Sequence, residues 1–551
     1  MVHRLISPNP LEGWKRIVLV HVTVEDVYLH PANHSQKKVP ISRASLTQRC
    51  NFSRETRQTR DVNRLTSLSL ATALVLVTIG CSNRSEDTAP PESSVAPTTE
   101  EAADSTSDST VAPEPTAVMF GDLESPCGPA IEGITPSITA DENGGSADAI
   151  QVATPSDKGN AFVPGLNGEL YDAALAFEGW CNAQGGIAGM PLKVIDADAK
   201  LFEVPVQIEN VCSNAFAMVG GGWAMDDQQF PRFHDCKMID IAGFVVTAAK
   251  SQADNTYSPL PNPSNKKDQG WFKWAIATYP EAMQHYATVY SDILTAQVVE
   301  QQYREGAAII GGVTVVDKVP YSSVGETSWL PIAQRLKNSG VRAISLVGVP
   351  EVLPQLTKAL DELGYSVDLI MVDAGFYADV LINNGGSSVE GVVVRTGYAL
   401  FEEADRVPAV RDYLDMMSTY RPDGKVSGLG MQSASAFLLF ATAAKNCVVN
   451  NNGEISRACI LEEVSKIREW TGGGLHAMAS PGNNEPSPCY QMITIKDAKF
   501  VRLYPPLNPT DADKALISTA TITEDGWACD ESTLVELVGD YGDAGIGKIV
   551  E

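Results

Sequence analysis

From about residue 147 the chain alternates short apolar runs with amphipathic ones, and few architectures accept that pattern. Residues 149–153, 192–196 and 217–219 read as strands. Between them, a helix over 167–184 places Leu170, Ala173, Ala174, Phe177 and Trp180 on one face, and Gly185 with Gly186 stops it. A second helix over 204–216 leads into the third strand. A second series starts at 286–290. It continues through helix 295–305, strand 313–316, helix 328–339, strand 343–347, helix 351–363 and strand 369–372. Helical crossovers between short apolar strands require parallel pairing, because a tight hairpin cannot join parallel neighbours. Two such series predict an α/β protein with two doubly wound parallel-sheet lobes. The uncharged run 426–444 holds Gly428, Gly430, Gln432, Ser433 and Ser435, so it reads as a buried helix and not a membrane span. No internal repeat suggests a solenoid.

The segment before this body has a different character. Residues 65–80, LTSLSLATALVLVTIG, carry no charge, follow Arg64 and end in small residues before Cys81. That is the size of a signal-peptide core and short for a span of about 20 residues. Thr78, Ile79, Gly80 and Cys81 resemble a bacterial lipobox, with Thr78 departing from the favoured leucine. The expectation is a leader at 62–80 and a lipid on Cys81. Residues 1–61 are long and Arg-rich, which fits either a start placed too far upstream or a cytoplasmic extension. Residues 82–118 hold no aromatic, Leu or Ile. Such a stretch cannot bury enough apolar surface to offset its ordering entropy, so 81–118 is expected to be an acidic, extended spacer.

The chain has 41 Lys and Arg against 68 Asp and Glu. Residues 1–80 hold 11 basic and 5 acidic side chains, which leaves 30 and 63 for residues 81–551. A body this acidic repels nucleic acid and anionic lipid, so nucleic acid is not an expected partner. None of the ten cysteines forms a Cys-x-x-Cys pair, and only His234, His285 and His476 lie beyond residue 80. No metal site and no cofactor follow from that inventory. An even set of eight cysteines after Cys81 in an exported chain predicts disulfides, first Cys447–Cys459 and then Cys212–Cys236.

The common enzyme signatures are incomplete or missing. Gly220, Gly221 and Gly222 follow a strand, but Met225 stands where a dinucleotide fingerprint needs its third glycine, and Asp226 and Asp227 would oppose a pyrophosphate. Walker A, Gly-x-Ser-x-Gly and His-Glu-x-x-His sequences are absent. The remaining catalytic alternative is a hydrolase that uses carboxylates alone.

Several segments in order carry a family resemblance. Asp157, Lys158 and Gly159 lead to Asn182, followed by Gly185, Gly186, Ile187 and Gly189, in the manner of an "N-x-x-GG-I-x-G" turn. Residues 192–196, 219–222, 238–243 and 389–394 follow at the expected spacing. Together, across about 147–505, they resemble the type I periplasmic binding proteins of branched-chain amino acid ABC importers, the leucine-binding protein family. Residues 120–129 resemble the entry segment of actinobacterial members. The resemblance implies a clam-shell of two lobes joined by three crossovers, closing on a ligand at the carboxyl ends of the strands, with no covalent chemistry. It implies an entry segment at 119–146, one lobe from 147–265 with 397–485, a second from 266–396 with 486–510, and an extension at 511–551. The implied partners are a small-molecule ligand, a membrane permease, and the membrane itself through the lipid anchor. A ligand sensor of the same fold is an alternative.

The family holds a ligand carboxylate with Ser or Thr hydroxyls and backbone amides after the first-lobe loop. Here that stretch, Trp223 to Asp227, has no hydroxyl. Asp373 or Glu351 at the second-lobe strand ends would accept a ligand ammonium, with Asp226 nearby. Trp223, Phe244, Phe376 and Tyr377 would form an apolar or cation–π wall. The ligand is therefore expected to be an amino acid, amide or amine, positive or neutral beside an apolar part.

Overall fold

The computed structural model describes residues 117–139, 142–145, 148–227 and 230–542. The leader, Cys81 and all but the last two residues of the spacer lie outside them.

The first sheet holds β1 (Ile150–Ser156), β2 (Leu192–Asp198), β3 (Ala217–Val219), β4 (Asp240–Ile241) and β5 (Thr256–Tyr257). Its order is β2-β1-β3-β4-β5, every pair parallel. Helices α1 (Gly168–Ala183) and α2 (Val204–Asn214) make the first crossovers. The pleat of β1 sends alternate residues to opposite faces. Ile150 and Val152 join Ala173 and Phe177 of α1 in one core, while Ala153 joins Val204, Ile208 and Val211 of α2 in another. Helix α1 stops where expected: Gly185 and Gly186 take φ of +110° and +84°, conformations that cost a side-chain-bearing residue about 1–2 kcal/mol. The Asn182 side chain then donates to the Leu192 carbonyl and accepts from its amide, both at 2.8 Å, which anchors the start of β2.

The second sheet begins after α3 (Gly270–Thr278) with β6 (Tyr286–Ser291), α4 (Leu294–Ile310), β7 (Val315–Tyr321), α5 (Leu330–Asn338), β8 (Ala343–Val347), α6 (Leu353–Glu362), β9 (Leu369–Val372), α7 (Asp379–Gly385) and β10 (Val393–Thr396). The chain returns to the first lobe for α8 (Pro408–Tyr420), α9 (Gly428–Asn450) and α10 (Arg457–Ser465). It then crosses back to β11 (Cys489–Lys496), β12 (Lys499–Tyr504), β13 (Thr521–Ile522) and β14 (Ala528–Cys529). The order is β7-β6-β8-β9-β10-β11-β14-β13, with β12 paired to β11. Strands β6 to β10 are parallel, and β11 is antiparallel to β10. The chain thus passes between the sheets three times, near 258–269, 397–407 and 466–488.

Strand β7 starts later and runs further than the apolar pattern predicts. It is the edge strand, pairing with β6 alone, so Val315 and Val316 are exposed and Pro320 costs no ladder bond to a second neighbour. Polar Asp317 and Lys318 inside it hide the strand from a hydrophobic count. The last strand of the parallel set also shifts, to Val393–Thr396, because 386–389 forms a short 3-10 turn.

Helix α9 is apolar on every face up to Ala444 because that stretch is almost entirely buried. It packs against α1 and α10 and under β3 and β4, and Ser427 caps it by accepting the Gly430 amide at 3.2 Å. No described helix is long and apolar enough to cross a membrane. Among the described residues four disulfides form: Cys127–Cys181, Cys212–Cys236, Cys447–Cys459 and Cys489–Cys529. The two expected pairs are among them.

The C-terminal segment is part of this architecture. Cys489–Cys529 ties it to β11, and Lys273 binds Asp530 at 2.9 Å. Its strand Leu534–Glu536 pairs antiparallel with Lys266–Asp268 of the first crossover.

Candidate ligand site

Between the lobes, at the carboxyl ends of the strands, lies a cleft of about 540 Å³. This is where an open α/β sheet places its loops and therefore its ligands. The first lobe supplies the loop from Asn160 to Glu169 after β1 and the stretch from Gly243 to Val246 after β4. The second supplies Ser291, Tyr321, residues 347–352, residues 373–375 and residues 395–398, each at a strand end.

Local chemistry shapes these loops. Asn160 accepts the amides of Phe162 and Val163 at 2.7 and 3.1 Å, an Asx turn that holds both apolar side chains at the cleft. Phe162 is 56% exposed there, unusual for its type. Asp157, fully buried, accepts the Leu201 and Ala224 amides at 2.8 and 2.7 Å and so ties three strand-end loops together. Burial pushes its carboxyl up to about 6, against the pull of those amides. The lobes touch where Thr295 of α4 donates to the Ala224 carbonyl at 2.6 Å.

The triple glycine is a packing device. Gly220 has φ +72°, and a Cβ there would lie 2.6 Å from Phe437 and Ser433 of α9; one at Gly222 would meet the Phe244 ring at 2.5 Å. The amides of Gly220, Gly222 and Gly243 donate to the carbonyls of Ile241, Pro155 and Gly221. None of these three is left to hold an anion.

The family model for periplasmic binding proteins matches residues 214–499. The chain belongs to that family. Among solved structures, this periplasmic binding protein resembles a fatty acid ABC transporter substrate-binding protein from Thermomonospora curvata: TM-score 0.57, 15% identity, 70% of this chain and 97% of that one covered. It also resembles the branched-chain amino acid transporter substrate binding protein LivJ from Streptococcus pneumoniae solved with isoleucine: TM-score 0.52, 16% identity, coverage 64% and 98%. An extracellular ligand-binding receptor from Rhodopseudomonas palustris HaA2 gives TM-score 0.54 at 15% identity, with coverage 65% and 100%. These likenesses establish the type I clam-shell fold. No curated protein matched the sequence.

Of the residues singled out from sequence, this binding protein brings Phe244, Glu351 and Asp373 to the cleft wall. The other four lie elsewhere. Trp223 is buried beneath the first sheet, donating to the Ala197 carbonyl at 2.8 Å and stacked on Phe233. Asp226 turns away from the cleft; it accepts from the Val246 amide and the Thr247 hydroxyl, each at 2.8 Å, in the field of Lys250, which pairs with Asp240 at 3.1 Å. Phe376 is fully buried. Tyr377 packs between the lobes at the second crossover, donating its hydroxyl to Glu402 at 2.5 Å and accepting the Phe401 amide at 2.7 Å. A strand-end position shows that a residue is near the cleft, not which way it points, and these four side chains satisfy internal partners instead.

Sequence reading missed two cations. Lys267 and Arg395 both line the cleft, on the first crossover and at the end of β10. Arg395 lies over the Trp271 ring at 5.5 Å, and Tyr303 braces that ring edge-on at 4.8 Å. Four of the five cleft carboxylates, all but Glu351, have donors in this chain. Asp373 accepts the Gly375 amide at 2.9 Å, Asp268 accepts the Gly270 amide and the Thr533 hydroxyl at 2.9 and 2.5 Å, Glu326 accepts the Ser322 amide at 2.7 Å, and Glu169 pairs with Lys425 at 3.5 Å. Burial raises the carboxyls of Asp373 and Glu351 above the usual range.

The Ser435 hydroxyl meets His476 Nε2 at 2.9 Å, which superficially suggests a nucleophile and base. Both are fully buried away from the cleft, His476 Nδ1 meets a backbone carbonyl at 2.8 Å, and burial lowers the imidazole to about 4. Among the described residues no carboxylate orients it, so the pair is a core hydrogen bond.

Proposed function

We propose that this protein is the extracytoplasmic receptor of an ABC importer, anchored by a lipid on Cys81, and that it captures a small molecule between its lobes without changing it. The observation that carries this reading is the cleft: walls from both lobes, at strand carboxyl ends, with three crossovers that allow hinge closure. The solved structures it resembles, a fatty acid ABC transporter substrate-binding protein and a branched-chain amino acid transporter substrate binding protein in complex with isoleucine, point the same way. Of the residues singled out from sequence, we assign Phe244, Glu351 and Asp373 as ligand contacts.

A thermal-shift screen of the purified full-length protein against metabolites tests it. Saturation at 100 times Kd adds about 2.7 kcal/mol to the closed form. The expected result is a stabilising compound recovered unchanged after incubation, with the shift reduced in Phe244→Ala. Turnover of that compound would make the protein an enzyme and refute the receptor reading. Metabolic lipid labelling lost in Cys81→Ala checks the anchor.

A further inference from the structure

The C-terminal segment lies beyond the stretch that the family model matches, and it holds both lobes at once. On the second-lobe side its grip is broad. The Cys489–Cys529 disulfide and the pairing of Leu534–Glu536 with Lys266–Asp268 bring the chain to helix α4. There Glu305 accepts the Val538 and Gly539 amides at 2.6 and 3.2 Å, and the Tyr541 hydroxyl as well. The close approach needs Gly539, since a Cβ there would press on Gln301 and lie 2.6 Å from the Tyr541 hydroxyl.

On the first-lobe side the grip is narrow. The Tyr541 carbonyl accepts the Ala248 amide at 2.8 Å. Tyr541 also shares a small apolar cluster with Ala248, with Val298 of α4, and with Val535 and Leu537. Ala248 opens the short helix Ala248–Ser251, so its amide has no partner inside that helix and must find one elsewhere. Helix α4 therefore meets the first lobe directly, through Thr295 and Ala224, and also through residues 537–541.

A segment bound to both lobes must let go of one when they turn about the crossovers. Three hydrogen bonds to Glu305, a disulfide and a strand pair keep it with the second lobe. Among the described residues, the Ala248 hydrogen bond and the Tyr541 packing are what hold 537–541 to the first lobe. The first-lobe attachment is the one that yields. Water takes up the freed amide and carbonyl, so release costs about one net hydrogen bond and is reversible.

We propose that residues 537–541 are an interlobe latch, which travels with the second lobe and clasps the first at Ala248, biasing the ligand-free protein toward closure. The latch rests on the receptor reading only in taking the lobes to move. Val246 lines the cleft and belongs to the same stretch as Ala248, so latch and ligand act on one part of the first lobe.

Spin labels carried by p-acetylphenylalanine in place of Val206 and Asn338, both exposed, report the interlobe distance in the full-length protein without ligand. Tyr541→Ala and Glu305→Ala should each raise the ratio of open to closed forms about fivefold, with circular dichroism unchanged. Hydrogen exchange of the Ala248 amide should rise in step. If an alanine variant misfolds, Tyr541→Phe decides by a smaller shift of the same sign, since it keeps the ring and loses only its donation to Glu305. Unchanged or shorter distances overturn the latch, even where exchange at Ala248 rises, because that would be local loosening alone. The two readings fail separately. A stabilising metabolite in the thermal-shift screen with unmoved distances leaves the receptor and removes the latch. Lengthened distances with no stabilising metabolite leave the latch and remove the receptor.

Discussion

Replacing Asp226 with alanine separates a ligand-binding role from an internal one. The side chain is 3% exposed and accepts two short hydrogen bonds, from the Val246 amide and the Thr247 hydroxyl. Hydrogen bonds to a charged group contribute about 1.5–3 kcal/mol each, and removing a partner from a buried charged cluster costs about 3–5 kcal/mol. Two features hold the loss to the lower end. Burial raises the Asp226 carboxyl, so its ionised form already carries a desolvation cost that the mutation removes. Lys250 also retains Asp240 at 3.1 Å. The expected loss is about 3 kcal/mol; with an m-value near 3 kcal/mol/M, the urea midpoint falls by about 1 M. Asp226→Asn, which keeps one acceptor oxygen, should lose about half as much. Urea titration followed by circular dichroism measures this, and calorimetry below the transition measures affinity. The reasoning requires weakened folding with ligand affinity intact. A variant as stable as wild type that no longer binds ligand would return Asp226 to the site.

Other consequences are equally direct. Cys447→Ser with Cys459→Ser opens a loop of sequence separation 12 and should lower stability by about 3 kcal/mol, read by denaturation with and without reductant. Gly220→Ala forces a Cβ to 2.6 Å from Phe437 at a φ of +72°; left-handed strain and overpacking together should lower stability by about 3 kcal/mol, and an unchanged melting curve would contradict the packing described.

The lobes, the parallel sheets, the buried character of α9 and two of the disulfides were legible in the sequence because each is a local pattern. Period-2 and period-3.6 burial, a glycine pair after Cys181 and Asn182, and cysteines close in the chain are written over a few residues. Edge strand β7 was partly hidden, since an edge needs fewer apolar residues than a central strand.

The direction of each cleft side chain was decided by tertiary structure. Trp223 and Asp226 stand one and four residues after Gly222, yet both turn inward, because a carbonyl, an amide and a hydroxyl of the first lobe satisfy them. Lys267 and Arg395 carried no signal: one is a charge on a short crossover strand, the other a charge ending an apolar strand, and 127 residues separate Arg395 from its neighbour Asp268. Sequence determines which residues are apolar, which turns can form and how often the chain reverses between strand and helix. Whether a charged group finds a partner inside the molecule or is left facing the cleft depends on which distant segments fold beside it, since a charge interacts through space and not along the chain.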